Sequence, residues 1–203
     1  MGQGGPEYCS KWYVVLVASS VVMVACGGGE PGSTGTTPAP TFADYAALDA
    51  QLHAAWDAQG ATDPSTLPGS GSATYQGVVN LDAQLGSSNL AMSGSLQLTA
   101  DFGASTIAGS ANSFKDQFER AFSGTLTLSN GAIDRAANPA TEDSFTADLD
   151  GTLSGAGEVL SIGSDLLGDF LGGTAGAATG VVTGLVGSSF GTGALFGDFI
   201  AEN

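Results

Sequence analysis

With 203 residues, the chain has room for one domain with a worthwhile core once a leader and a linker are set aside, and no room for a second. Only 12% of residues are charged and 32 are glycine, which excludes a salt-bridged helical bundle or a long coiled coil and favours short strands and turns. Four Lys and Arg against 20 Asp and Glu give a net charge of −16; this excludes nucleic acid as a partner, because phosphate binding needs clustered cations.

The first element is an apolar run of 14 residues from Trp12 to Ala25, preceded by Lys11. It is too short to span a bilayer and reads as the core of an export signal. It ends in Met23-Val24-Ala25-Cys26 followed by Gly27, Gly28 and Gly29, which resembles the lipobox of bacterial lipoproteins. That resemblance implies cleavage before Cys26 and acylation of its thiol. Several acyl chains on one cysteine, each methylene contributing about 0.8 kcal/mol on burial, hold a protein on a membrane without a spanning helix. Gly27 in place of Asp after the cysteine directs the expectation to the outer membrane. Cys9 and Cys26 are the only cysteines, so the folded region holds neither a disulfide nor a thiolate metal site.

Residues 26–41 are rich in Gly, Ser, Thr and Pro and are expected to form a flexible tether. Over 42–60, Phe42, Tyr45, Leu48, Leu52 and Trp56 recur at three- and four-residue steps, which predicts one amphipathic helix ending near Gly60. Its stripe is read as a packing face. His53, the only histidine, lies beside it and is read as a partly exposed helix residue rather than a haem ligand. Residues 61–72, with two prolines, read as a linker.

From residue 73 the period becomes two. Tyr75 to Leu85 carries its apolar residues at odd positions; Ser93 to Phe102, Phe122 to Ser129, Phe145 to Leu153 and Leu195 to Ala201 alternate likewise. Weaker strands are expected near 104–110, 170–176 and 178–186. Glycines repeatedly stand two residues from a bulky residue on one face, as in Tyr75 and Gly77, Phe122 and Gly124, and Gly197 and Phe199. Glycine within a strand normally weakens it, so its repetition argues for sharp curvature with a neighbouring ring covering the backbone. The expected fold is all-β: a small eight-stranded antiparallel up-and-down barrel over 73–203, preceded by one short α-helix. The rival is a membrane glycine zipper, since Gly168, Gly172, Gly176, Gly180 and Gly184 fall every fourth residue. Asp165, Asp169 and three threonines in that stretch favour strands.

No nucleophile elbow, phosphate loop or zinc-protease helix occurs, and the pairs Asp148 with Asp150, Asp165 with Asp169, and Glu142 with Asp143 lack a partner pattern beyond proximity. An enzyme is therefore not expected, and no cofactor or metal is assigned. Lys115 to Ala121 reads as an irregular or short helical insertion, and as the one mixed-charge loop its Lys115, Asp116, Glu119 and Arg120 are the candidate partner contacts.

In order, Tyr75-Gln76-Gly77, Asp101-Phe102 with Thr106 to Gly109, Phe122-Ser123-Gly124, Phe145 to Gly151, Gly172-Gly173 with Gly176, and Phe196 to Glu202 resemble the C-terminal barrel of transferrin-binding protein B and the smaller surface lipoproteins that share it. Ala177-Ala178-Thr179-Gly180 departs from the Phe-Gly pairing usual after the double glycine. The resemblance implies a lipid-anchored, surface-exposed, monomeric outer-membrane protein that binds a host or nutrient-carrier protein, such as an iron or haem source, without catalysis. Only the helix of 42–60 stands where that family places a handle domain, so transferrin specificity does not carry over. Two other readings stay open: a carrier holding a small apolar ligand in the barrel, and a structural envelope lipoprotein.

Overall fold

The computed structural model describes residues 39–203; Cys26, the signal segment and most of the tether lie outside the described residues. Helix α1, Phe42–Trp56, opens with a capping box in which Thr41 and Asp44 satisfy each other's backbone N–H groups, and a 3-10 turn over Asp57–Gln59 ends it at Gly60. Eight strands follow: β1 Ser72–Leu85, β2 Ser88–Asp101, β3 Thr106–Asp116, β4 Ala121–Ile133, β5 Phe145–Gly155, β6 Glu158–Leu171, β7 Ala177–Ser188 and β8 Gly191–Glu202. Each pairs antiparallel with the next, and β8 returns to β1, closing the barrel. The expected fold class is the observed one.

Two sequence readings are corrected, and the rival architecture falls away. Residues 170–176 are not a strand: β6 ends at Leu171, and 172–176 is a turn. Lys115 and Asp116 are not in a loop insertion but end β3, leaving a four-residue turn before β4. The glycine zipper is absent: Gly168 lies on β6, Gly172 and Gly176 in the turn, and Gly180 and Gly184 on β7.

Curvature is produced differently in the two halves of the barrel. Pairing among β2, β3, β4 and β5 shifts register at bulges, where Ser113 and Asn130 adopt positive φ. From β5 round to β1 the register never shifts, and small residues allow the bend instead. Gly168 and Gly180 face each other across β6 and β7. A Cβ on either would fall 2.8 Å from the Phe199 ring, and one on Gly168 2.7 Å from Phe145. The covering rings therefore come from neighbouring strands, not from two residues along the same strand as the sequence pattern implied.

A cluster of four aromatic rings fills one end of the barrel. Phe170 packs against Tyr75, Phe102 and Phe145 at centroid separations of 5.8, 5.8 and 5.0 Å. Burial pushes the Tyr75 phenol up to about 12, and its hydroxyl donates to the Ala175 carbonyl. The 61–72 connection is seated across this end, with Leu67 buried and the Thr62 N–H bonded to the Phe170 carbonyl. The Arg135 guanidinium donates to the carbonyls of Leu67, Pro68 and Phe102 at 3.0, 2.6 and 2.6 Å. One cation thus satisfies three carbonyls that strand pairing leaves over.

Helix α1 lies outside the barrel against β1, β2 and β8. Tyr45 and Leu52 bury against Val78 and Ile200, with Leu48 and Trp56 beside them. This explains why Val78, at an even position of a strand with an odd buried face, is fully enclosed. Asn80 links the elements: its amide donates to Asp49 on the helix and Asp198 on β8, and its oxygen accepts from Ser93 on β2.

His53 occupies the acidic seam beneath the helix, with Nδ1 2.9 Å from Asp57 and Nε2 3.7 Å from Asp49. Burial favours the neutral ring, but the Asp57 hydrogen bond and the fields of Asp49, Asp57 and Asp198 outweigh it and raise its pKa above 6.5. A value higher in the folded chain than in the unfolded one adds stability below the unfolded value, and that stability is lost as pH rises through the folded value. Thermal stability is therefore expected to decline from about pH 6 into the mildly alkaline range. His53→Gln should flatten that decline, whereas identical pH profiles for the two proteins would remove His53 as its source.

Candidate functional site

The end opposite the aromatic cluster is open. Four tight turns, 86–87, 117–120, 156–157 and 189–190, ring a cup of about 830 Å3. Its floor is apolar, formed by Phe122 and Leu160 with Leu85 and Leu90 above them, and Phe118, Arg120, Glu158 and Phe190 stand round it. Volumes of roughly 300–1,000 Å3 are those of small-molecule sites, or of pockets that receive a partner's side chains. Phe118 and Phe190 are 65% and 77% exposed, and Val159 at the rim is 58% exposed. Rings left so open on tight turns have no packing role in the domain, and grouped exposed apolar residues mark contact surfaces.

The candidate contacts Lys115, Asp116, Glu119 and Arg120 are all brought to this end, but they do different things. Asp116 is fully buried: it accepts from the backbone N–H groups of Phe118 and Arg120 and from Arg120 Nε at 2.6 Å. It is the knot that shapes the β3 to β4 turn. Glu119, at positive φ, accepts the Phe42 N–H at 3.0 Å and so fastens the start of α1 to the rim. Arg120 is half-exposed, its guanidinium 5.1 Å from the centre of the Phe118 ring, which it braces by cation–π attraction. Lys115 pairs in the ladder opposite Ser93 and Ala121. The charges of the sequence mark this turn but not the two exposed rings of the cup; Phe118 and Phe190 are 72 positions apart in sequence and meet at one mouth only because the sheet closes.

The carboxylate pairs do not assemble into converging groups. Asp148 and Asp165 face each other across β5 and β6 on the outer wall, where Asn130 donates to Asp148 at 2.6 Å. Asp169 accepts the Ser144 N–H, and Glu142 closes its own turn on Asn138.

No protein-family model matches the chain, and no curated protein matches it. Solved structures do. One is of a double mutant from Haemophilus parasuis Hp5, at 16% identity and TM-score 0.45, covering 70% of this chain and 27% of that one. Another is a single mutant from the same organism with the same identity and score, 28% of whose length is covered. A third, of the intact N and C lobes of Ap-TbpB, gives 17% identity and TM-score 0.41. All three are structures of transferrin binding protein B. The chain spans little more than a quarter of their length. At these values the eight-stranded closure rests on the strand pairing of this chain, not on the likeness.

Proposed function

We propose that the chain is a lipid-anchored, non-catalytic binding protein of the bacterial outer membrane, exposed at the cell surface, that captures its partner at the cup end of the barrel. The observation that carries this reading is the cup itself: an apolar floor under two exposed phenylalanines, with Arg120 and Glu158 as charged groups in its lining. Aromatic rings and arginine around a concave centre are the residue types that dominate interface energetics. The anchor reading adds the division of the chain into a signal over 1–25, a tether over 26–41, and a helix-bearing barrel that acts as a monomer. The partner is one that offers an apolar group, such as a protein or nutrient carrier of iron or haem. The volume of the cup favours, as a second reading, a small apolar ligand held without a protein around it.

The test is capture from host serum at high salt by the purified protein and by a Phe118→Ser, Phe190→Ser double variant. The native protein is expected to retain a discrete partner, and the variant to bind it roughly tenfold or more weakly, about 1.4 kcal/mol or more. Its melting temperature should be unchanged, because both rings lie outside the core. Equal capture by both proteins would move the site away from the cup. Capture by neither, with an apolar fluorescent probe bound by the native protein alone, would favour the small-ligand reading.

A further inference from the structure

The path of the chain, the placement of exposed rings and the distribution of charge all distinguish the two ends of the barrel. Helix α1 begins at the cup, where the Phe42 N–H meets Glu119, and ends at the closed end, where Trp56 donates to Glu202 at 3.0 Å. Its 15 residues span about 22 Å at 1.5 Å per residue. The chain leading back to Cys26 therefore leaves from the rim of the cup. The 15 residues of 27–41 reach at most about 50 Å fully extended. The point from which the tether departs is thus on the cup side, about one helix length from the closed end.

Two of the three exposed rings among the described residues, Phe118 and Phe190, lie at that same rim, and the third, Phe196, is on the outer wall of β8. Phe118 is on the turn between β3 and β4 and Phe190 on the turn between β7 and β8, four strands apart in a ring of eight, hence on opposite sides of the mouth. Val159 is exposed at the start of β6, next to Glu158, which accepts from Ser189 of the β7 to β8 turn. Two rings straddling a mouth make a level footing. Charge follows the same axis. At the cup Lys115 and Arg120 stand against Asp116, Glu119 and Glu158, a net charge of −1, whereas at the closed end Asp63, Asp101, Asp134, Glu142 and Asp143 have only Arg135 among them, a net charge of −4. Lipid phosphates repel the closed end more strongly than the cup, within about 10 Å of the surface.

We infer that the cup end faces the bilayer, with Phe118 and Phe190 seated at the boundary between headgroups and acyl chains, so that the apolar partner of the rim is membrane lipid. The inference rests on the anchored reading and makes membrane lipid, in place of a protein or carrier, the apolar partner of the cup. Amphipathic surfaces of this kind bury their apolar side shallowly in the interface.

The experiment uses the mature acylated protein reconstituted into phosphatidylcholine vesicles, with and without bromine on the acyl chains. Phe118→Trp and Phe190→Trp are compared with the native chain, whose Trp56 at the closed end is the internal reference. Each variant is expected to gain blue-shifted emission, most of which the brominated lipid quenches, while Trp56 emission is unaffected. If the protein floats with the vesicles but the added tryptophans emit unquenched, the inference is overturned and the anchor stands. Shielded but unquenched emission also overturns it, and points to a protein, a second copy or a small ligand at the rim. A chain that fails to float removes the anchored reading and this inference together. Circular dichroism of each variant, matching the native spectrum, keeps misfolding apart from these outcomes.

Discussion

Phe170→Ala is expected to lower the stability of the barrel by about 3–5 kcal/mol. Phe170 is fully buried and touches three rings, Tyr75, Phe102 and Phe145, two of which stand beside the glycine-lined bend or the closed-end turn. Tyr75 holds the 172–176 turn through Ala175, and Phe145 covers Gly168. Removal of the Phe170 ring therefore leaves a cavity and also unsupports the two neighbours that fix the turn and the bend. Domains of this kind are stable by only about 5–15 kcal/mol, so the loss is a large share of the whole. Urea unfolding of the variant should give a midpoint far below that of the native protein with little change in slope. An unchanged midpoint would mean that the closed end repacks freely and that the aromatic cluster is not what holds it.

The second large effect is expected at Cys26, where the consequence is location rather than stability. Cys26→Ala removes the thiol that the lipobox resemblance marks for acylation, while the core of the barrel is built entirely from residues after 66. Fractionation of cells should find the native protein in the membrane pellet, released by detergent and not by salt. The variant should lose acylation, read as the missing mass of the acyl groups, with the melting temperature of its folded domain retained. Acylated mass in the variant, or a native protein that salt alone extracts, would contradict the anchor.

Much of this fold is legible in the sequence because its physical signals are local. The helix shows its three- and four-residue stripe and its terminal Gly60, and β1, β2, β5 and β8 show clean alternation. Strand β3 was placed too short because its period is broken: Ile107 and Ala111 face inward at odd positions, then the bulge at Ser113 shifts the inward face to Phe114 and Asp116. Strand β6 was missed although Leu160, Ile162, Leu166 and Phe170 alternate inward. Ser164 interrupts that inward face, and Val159 and Leu167 put apolar residues on the outward one, so its contrast is blurred.

The candidate site was legible only in part. The charges of 115–120 drew attention to the right turn, yet tertiary pairing decides their roles: Asp116 buries, Glu119 turns to the helix, and Arg120 braces a ring. Phe190 carries no local signal at all, since a lone phenylalanine between Ser189 and Gly191 becomes a rim residue only when β8 closes on β1.

The claim that the cup is the contact end is tested most directly by amide hydrogen exchange, followed with and without native envelope membranes. Exchange is predicted to slow in the turns at 86–87, 117–120, 156–157 and 189–190 and to stay unchanged in the 134–144 connection at the closed end. Slowing confined to 134–144, with the four turns unaffected, would contradict the account.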